Sequence, residues 1–408
     1  MSYKIHELSK VELQKIAIVG THLHSWQDSG NEGVLNVFQT QGMVQLDPLN
    51  PAGRNHDLFF LARIPDYKVH SFQKIIYSKK LVFEAYFPNL MAIYKEYLPI
   101  FLPRMKRENL GKYYSSRIEK LEKARPTILE EVEQFLEERG PSKSSDFDEL
   151  AEIKPEFHFW KASRISGMGL EVLWLLGKAA IVDRDENWRK TYNLLRNHFD
   201  KDLLKKSEFT DKELNFQRFL IKQKSYPLMN MGKVTFTKSG KLAIGKKGWP
   251  HRFSPDWFDS DENENNPHIL KIKEDIIGFA APSDWEKMLE KEYDEEMKVI
   301  APLDPLIWDR ELALRIFDFD YVWEVYKVPK DRKWGYYVYP LLFKGELIGR
   351  MEAKYDKKAH ELSVFNLQFE EEFKPDSELS NAFYSMLDRW KSMLSADKIK
   401  YDKSSLIK

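Results

Sequence analysis

Four β-rich runs follow one another near the end of the chain, over 319–328, 336–343, 348–355 and 362–369. Short turns separate them, at Asp331-Arg332, Lys344-Gly345 and Asp356-Lys357. Runs joined this way pair with their neighbours, so an antiparallel sheet or half-barrel is expected from about residue 301. A helix over 376–396 closes the module, entered just after Pro375. Upstream the apolar periodicity is mostly helical. The fold class is therefore read as mainly α with β (α+β).

Ser9 and Glu12 have the spacing of a capping box, with Leu13, Ile16 and Ala17 following at helical intervals. A second helix is expected over 31–41, with Val34, Leu35 and Phe38 inward, which together suggests a helix-turn-helix unit. The stretch 94–138 reads as strongly helical and is stopped by Gly140-Pro141. Residues 169–194 then read helix, strand, polar turn, strand, the signature of a winged helix. Helix resumes over 192–222. A hairpin with lysines at its tip is expected over 234–249, and a charge-dense helix over 284–299. Tandem winged-helix units followed by a small antiparallel β module give four expected regions: 1–140, 141–205, 206–300 and 301–408.

The stretch 38–57 carries the candidate chemistry. It turns at Gly42, alternates through Val44-Gln45-Leu46-Asp47, and breaks at Pro48 and Pro51. Alternation puts Gln45 and Asp47 on one face and Val44 and Leu46 on the other. An amide beside a carboxylate can hold a water, and Arg54 and His56 can hold an anion. The plainer alternative is that an Asp before Pro is a turn former or a helix cap.

The chain has 408 residues, with 42% hydrophobic and 14% aromatic content, so a large core is available and global disorder is excluded. Cysteine is absent, which excludes disulfides, Cys-ligated zinc and iron–sulfur clusters. His22 and His24 have no third ligand nearby, so no metal is expected and no cofactor either. The first eight residues hold no signal-peptide core, and no apolar run is long enough to span a bilayer. The formal net charge of zero hides two blocks. Residues 188–252 hold 16 Lys/Arg against 5 Asp/Glu, and 253–300 hold 5 against 14. The basic block, with Lys241, Lys246 and Lys247, is either a solvated face or a surface that tracks phosphates.

Three clusters carry a family resemblance: Gln45-Leu46-Asp47-Pro48-Leu49, Arg54-Asn55-His56, and Leu61-Ala62-Arg63-Ile64-Pro65-Asp66-Tyr67. With 169–194 and Leu303-Asp304-Pro305-Leu306-Ile307-Trp308-Asp309-Arg310, they resemble the winged-helix DNA glycosylases of the YcaQ/AlkZ type. The resemblance covers most of the chain and is weakest over 200–300. It implies a monofunctional, metal-free glycosylase that removes alkylated purines of the 7-alkylguanine type and unhooks interstrand crosslinks. Gln45 and Asp47 would be catalytic. Arg54, His56, Arg63, Lys241, Lys246 and Lys247 would bind DNA, the first three on phosphate or supporting the catalytic pair from behind. The implied partner is double-stranded DNA with alkylated bases, met by a monomer in the cytoplasm at the nucleoid, with no membrane. The family carries Trp-x-His after Phe83-Glu84, where this chain has Tyr86-Phe87-Pro88. The competing expectation is a tandem winged-helix DNA-binding protein or regulator without chemistry.

Overall fold

The strands Lys298–Val299, Val338–Phe343, Glu346–Asp356, Glu361–Phe369 and Lys398–Tyr401 form one five-stranded sheet, in that order. Its pairs are antiparallel except the last, where Lys398–Tyr401 runs parallel to Glu361–Phe369. Lys344 and Gly345 both take positive φ, as the tight hairpin between the second and third strands demands. Register shifts at Leu341/Leu342 and Arg350/Glu352 bend the sheet, which curls into a half-barrel. The helix Ser377–Leu394 follows, N-capped by Asp376, whose side chain accepts from the Leu379 N–H. It buries Phe383, Met386, Leu387 and Trp390.

The computed structural model describes residues 4–87, 89–147, 164–205, 233–236, 242–243, 268–272, 277–281, 285–374 and 376–401. The chain divides into two compact units: Met1–Phe72 with Gln217–Lys408, and Gln73–Phe216. Helices and strands mix in both, giving an α+β fold.

In the first unit Ser9 caps the helix Lys10–Gly20, and the expected box with Glu12 is present. Leu13, Ile16 and Ala17 share a core with Leu306, Ile307, Leu312 and Ile316, so the two ends of the chain are bound together. The helix Gly30–Gln41 buries Val34, Val37 and Phe38, while Leu35 stays half-exposed, one position off the expected stripe. Two further expectations fail here. The run 319–328 forms no strand: Phe319 and Tyr321 turn inward, and Glu324 folds under to bind backbone N–H groups. The expected helix over 284–299 is only Glu286–Leu289, because the charged residues after it offer no stripe to bury. The backbones of Lys233–Phe236 and Leu242–Ala243 pair antiparallel, as a hairpin there requires.

In the second unit, strands Val82–Tyr86 and Leu90–Tyr94 make a hairpin. The long helix expected from residue 94 starts only at Lys112, because Pro99 and Pro103 divide the preceding stretch into short turns. Helices Lys112–Ala124, Ile128–Arg139 and Ile165–Leu175 pack around Ile118, Val132, Leu136, Met168 and Leu173. Strands Ala179–Arg184 and Lys190–Leu194 pair antiparallel after the third helix, completing the helix-strand-turn-strand order expected at 169–194. The continuous helix expected from 192 is broken into Leu195–His198 and Lys201–Lys205, and the remainder lies outside the described residues.

Candidate functional site

Gly42 closes the helix Gly30–Gln41 in the left-handed conformation, at φ 74°. The chain leaves it extended, and Met43–Gln45 is strand. Met43, Val44 and Leu46 are buried, and so is Gln45 at 7% exposure, while Asp47 is half-buried. The alternation therefore resolves at its end, where the carboxylate reaches solvent and the residues before it do not.

The Gln45 carboxamide is oriented by chemistry. The Trp308 indole N–H lies 2.8 Å from Gln45 Oε1. An indole N–H can only donate, so it must face the amide oxygen and turn the NH2 group the other way. The Gln45 carbonyl accepts from Asn55 Nδ2 at 3.0 Å, and Asn55 Oδ1 accepts from the Leu303 N–H at 3.1 Å. One buried Asn thus ties the segment to the chain that delivers Trp308.

Asp47 caps no helix, since residues 46–50 are irregular. Its Oδ1 accepts from the Leu49 N–H at 2.8 Å in a tight turn across Pro48. Among the described residues no cation pairs with it. Burial raises its pKa above the usual 3.8, with the Leu49 N–H pulling the other way. The result is a carboxylate of enhanced basicity with one oxygen engaged.

The residues that follow are pinned from several sides. Gly53 N–H donates to Asn50 Oδ1, Tyr355 N–H to the Pro51 carbonyl, and the Trp390 indole to the Ala52 carbonyl at 2.7 Å. Trp390 itself packs edge-on against Tyr339, 5.0 Å between centroids. A site carried on irregular backbone is held here by the sheet and the last helix.

The three expected DNA-contacting residues nearby are not at the surface. Arg63 is fully buried; it donates to both Asp304 oxygens at 2.8 and 3.1 Å, to the Thr21 carbonyl at 2.7 Å and to the Phe59 carbonyl at 2.8 Å. Its guanidinium also lies 3.7 Å from the centre of the Phe59 ring. A phosphate cannot reach it, so Arg63 is an internal clamp. His56 is fully enclosed, 5.8 Å from the Phe72 ring, and Arg54 is 7% exposed at the start of the helix Asn55–Leu61. For these two as well, enclosure favours support of the segment over contact with DNA. Lys241, Lys246 and Lys247 lie outside the described residues.

Sequence reasoning missed Trp308, Asn55 and Tyr337. Trp308 and Asn55 stand inside the resembling clusters, but nothing local pairs either with Gln45. Tyr337 is 2% exposed, and its hydroxyl has no hydrogen-bond partner among the described residues. Burial, then Tyr339, then Asp47 push its phenol well above the usual range, so it is a donor.

In the second unit, Glu84 is buried and paired with Arg184, Nε to Oε1 at 2.8 Å and Nη2 to Oε2 at 2.5 Å. Its carbonyl accepts from the Trp174 indole at 2.7 Å. This carboxylate is committed to structure, next to the point where Tyr86-Phe87-Pro88 departs from Trp-x-His.

No helix among the described residues is long and apolar enough to cross a membrane. A family model described as DNA glycosylase AlkZ-like matches residues 39–222 and 273–386, well over half of the chain. Both Gln45-Leu46-Asp47 and Trp308 fall inside the match. The solved structure of Streptomyces sahachiroi DNA glycosylase AlkZ is similar in fold, with a TM-score of 0.58 at 13% identity. That likeness covers 97% of this chain and 100% of the other.

Proposed function

The chain belongs to the AlkZ-like DNA glycosylase family, and from that membership we propose that it hydrolyses the N-glycosidic bond of alkylated purines of the 7-alkylguanine type. The observation that carries the reading is the pair formed by Gln45, its amide oriented by Trp308, and Asp47, a half-buried carboxylate without a cation beside it among the described residues.

Alkylation at ring nitrogen seven makes the purine cationic, so it departs as a neutral base and leaves an oxocarbenium-like sugar. Such a leaving group needs little acid catalysis. It needs a negative group near the developing cation and a water on the far face of the sugar. Asp47 supplies the charge and accepts the water's proton. Gln45 can both donate to and accept from a water, and its fixed orientation selects one geometry. Arg63 keeps its charge on Asp304 and so is not available to neutralise Asp47.

Water is the nucleophile in this proposal, so the product is an abasic site with the strand intact. Unhooking of interstrand crosslinks through 7-alkylguanine is the same reaction on a bulkier leaving group. The enzyme would act as a monomer on double-stranded DNA, in the cytoplasm at the nucleoid. The basic block with Lys241, Lys246 and Lys247 would track phosphates. Reversing those three charges should then lower affinity for all duplex sequences alike and flatten its salt dependence.

One duplex carrying a single 7-methylguanine tests the reaction. After incubation, heat and alkali should cut the strand at that position only. Cutting without alkali would show lyase chemistry, and no cutting at all would remove the excision reading.

A further inference from the structure

A cleft of about 830 Å³ opens two residues beyond Asp47, with Leu49 and Asn50 on one side and Tyr336 and Phe365 on the other. Three cations line it, Arg332, Lys333 and Lys354, against one carboxylate, Glu352. That carboxylate is already engaged. Its Oε1 accepts from the Tyr336 and Tyr337 N–H groups at 2.7 and 3.2 Å, and its Oε2 from Asn366 Nδ2 at 3.2 Å. Lys333 is paired with Asp320 at 2.6 Å. Arg332 and Lys354 pair with no carboxylate among the described residues. The cleft therefore keeps positive charge that the fold itself does not use.

Both remaining cations stand on fixed backbone. The five N–H groups that follow Arg332 all donate to carboxylates, the first three to Glu324 and the last two to Glu352. Burial opposes the charge on Glu324, but Lys327 and the three N–H groups prevail and hold its carboxyl down to about 2. A Cβ at Gly335 would collide with the Glu352 carboxylate, so this close approach needs glycine. Arg332 is itself held at one end. Its Nε donates to the Lys327 carbonyl at 3.0 Å, and its guanidinium lies 4.8 Å from the centre of the Tyr336 ring. Its two terminal nitrogens make no hydrogen bond among the described residues, and they form the fork that fits a phosphate. Lys354 is placed by its neighbour: the Tyr355 N–H donates to the Pro51 carbonyl at 2.7 Å, which ties that strand to the segment carrying Asp47.

The cleft suits a strand rather than a lone anion. A small anion is commonly caged by successive backbone N–H groups, and here all five already face Glu324 and Glu352. Tyr336 and Phe365 are 41% and 40% exposed, and cations interleaved with exposed rings match a sugar–phosphate chain and its bases. Two residues of chain span at most about 7 Å, so Leu49 stands within about two base steps of duplex rise from Asp47. Resting on the excision reading above, we propose that this cleft receives the damaged strand beside the excised nucleotide, with Arg332 and Lys354 each on one phosphate and Tyr336 against the nucleoside between them. These contacts are the same before and after the glycosidic bond breaks. They anchor the strand while Asp47 acts on the sugar.

The test is binding of the whole chain to a duplex with one 7-methylguanine whose sugar carries a 2′-fluorine, which opposes the oxocarbenium and keeps the base attached. Affinity is read by fluorescence anisotropy between about 50 and 200 mM salt, for the wild type, Arg332→Ala, Lys354→Ala and the double variant. Each single change should weaken binding about threefold to tenfold. Each should also lower the salt slope by about one, and the double change by about two. Arg332→Lys should keep the slope, which separates a lost charge from a disturbed loop. Lys330→Ala removes the same charge from the same loop outside the cleft, and should leave the slope as it is. Neutral methylphosphonates within two steps of the lesion, on its own strand, should weaken wild-type binding and cost the double variant nothing more. A wild-type slope in the double variant, or an equal methylphosphonate loss in both proteins, overturns the proposal. If a 7-methylguanine without fluorine is still excised, that result leaves the glycosylase reading standing. The expected losses without any excision would uphold the cleft as a strand site and remove the excision reading instead.

Discussion

Leu46-Asp47-Pro48-Leu49 and Leu303-Asp304-Pro305-Leu306 are the same four residues in the same order, and their carboxylates end in opposite conditions. Locally they agree. Each Asp accepts from the N–H two residues on, at 2.8 Å in the first and 3.0 Å in the second. Beyond that turn they part. Asp304 is fully buried, caps the helix Pro305–Trp308, and is bound by both arms of Arg63. Asp47 caps nothing, is half-buried, and has no cation beside it among the described residues.

The residue four places on explains the first difference. A helix needs that residue's N–H for its first intrahelical bond. Trp308 has one; Pro51 has none. The second difference is tertiary, because one guanidinium serves one carboxylate. The tetrapeptide specifies a turn, and its surroundings decide whether the charge is consumed or kept.

The sharpest break of this comparison is to neutralise each carboxylate in turn. Asp47→Asn keeps the turn and removes the proposed general base, so excision should fall about 10²–10⁴-fold with DNA affinity little changed. Near-normal excision would take Asp47 out of the mechanism. Asp304→Asn keeps the cap but strands a buried guanidinium, so stability to denaturant should drop about 3–5 kcal/mol. A variant as stable as wild type would mean that Arg63 is not clamped as described.

Smaller effects belong to the hydrogen-bonded pair that flanks the two turns, Gln45 and Trp308. Gln45→Ala should lower excision by about tenfold, less than Asp47→Asn, because a water partly refills the space of the amide. Trp308→Phe leaves the amide in place but frees its rotation, and should cost about threefold to tenfold. If Gln45→Ala and Trp308→Phe multiply when combined, the indole does not act through the amide.

The last prediction is a pH dependence. Excision should fall on the acid side as Asp47 is protonated, with the inflection above the usual 3.8, and Asp47→Asn should lack that limb. For stability the sign is reversed. A carboxyl whose pKa is raised by folding binds its proton more tightly in the folded state. Its contribution favours folding at low pH and is lost as pH rises from the unfolded value through the raised one. At neutral pH, Asp47→Asn should therefore melt slightly higher than wild type, and a clearly lower melting temperature would contradict the burial argument.

Much of this was legible from residue order. Gly42, Pro48 and Pro51 mark the segment that carries Gln45 and Asp47, and the capping box at Ser9 and the turns at Lys344-Gly345 and Asp356-Lys357 all appear where expected. What stayed hidden is long-range. Trp308 reaches Gln45 across 263 residues and Arg63 reaches Asp304 across 241, and no periodicity encodes either meeting. Arg63 in particular looks in sequence like a phosphate ligand, because a cation's partner cannot be seen from its neighbours. The run 319–328 misled for a related reason: Phe319 and Tyr321 are buried as in a strand, yet Glu324 spends its carboxylate on the backbone of another loop.

The separation of Gln45 from Trp308 also has a consequence in time. At ribosomal rates of about 5–20 residues per second, roughly 13–50 s pass between the synthesis of the amide and of the indole that orients it. The Arg63 guanidinium waits nearly as long for Asp304, and until then it is a charge without its partner. A nascent chain, or one cut short before residue 304, carries the complete Gln-Leu-Asp signature with neither its clamp nor its orientation. Competence to cut a glycosidic bond thus arrives late in translation, when most of the chain that must hold the DNA has already been made.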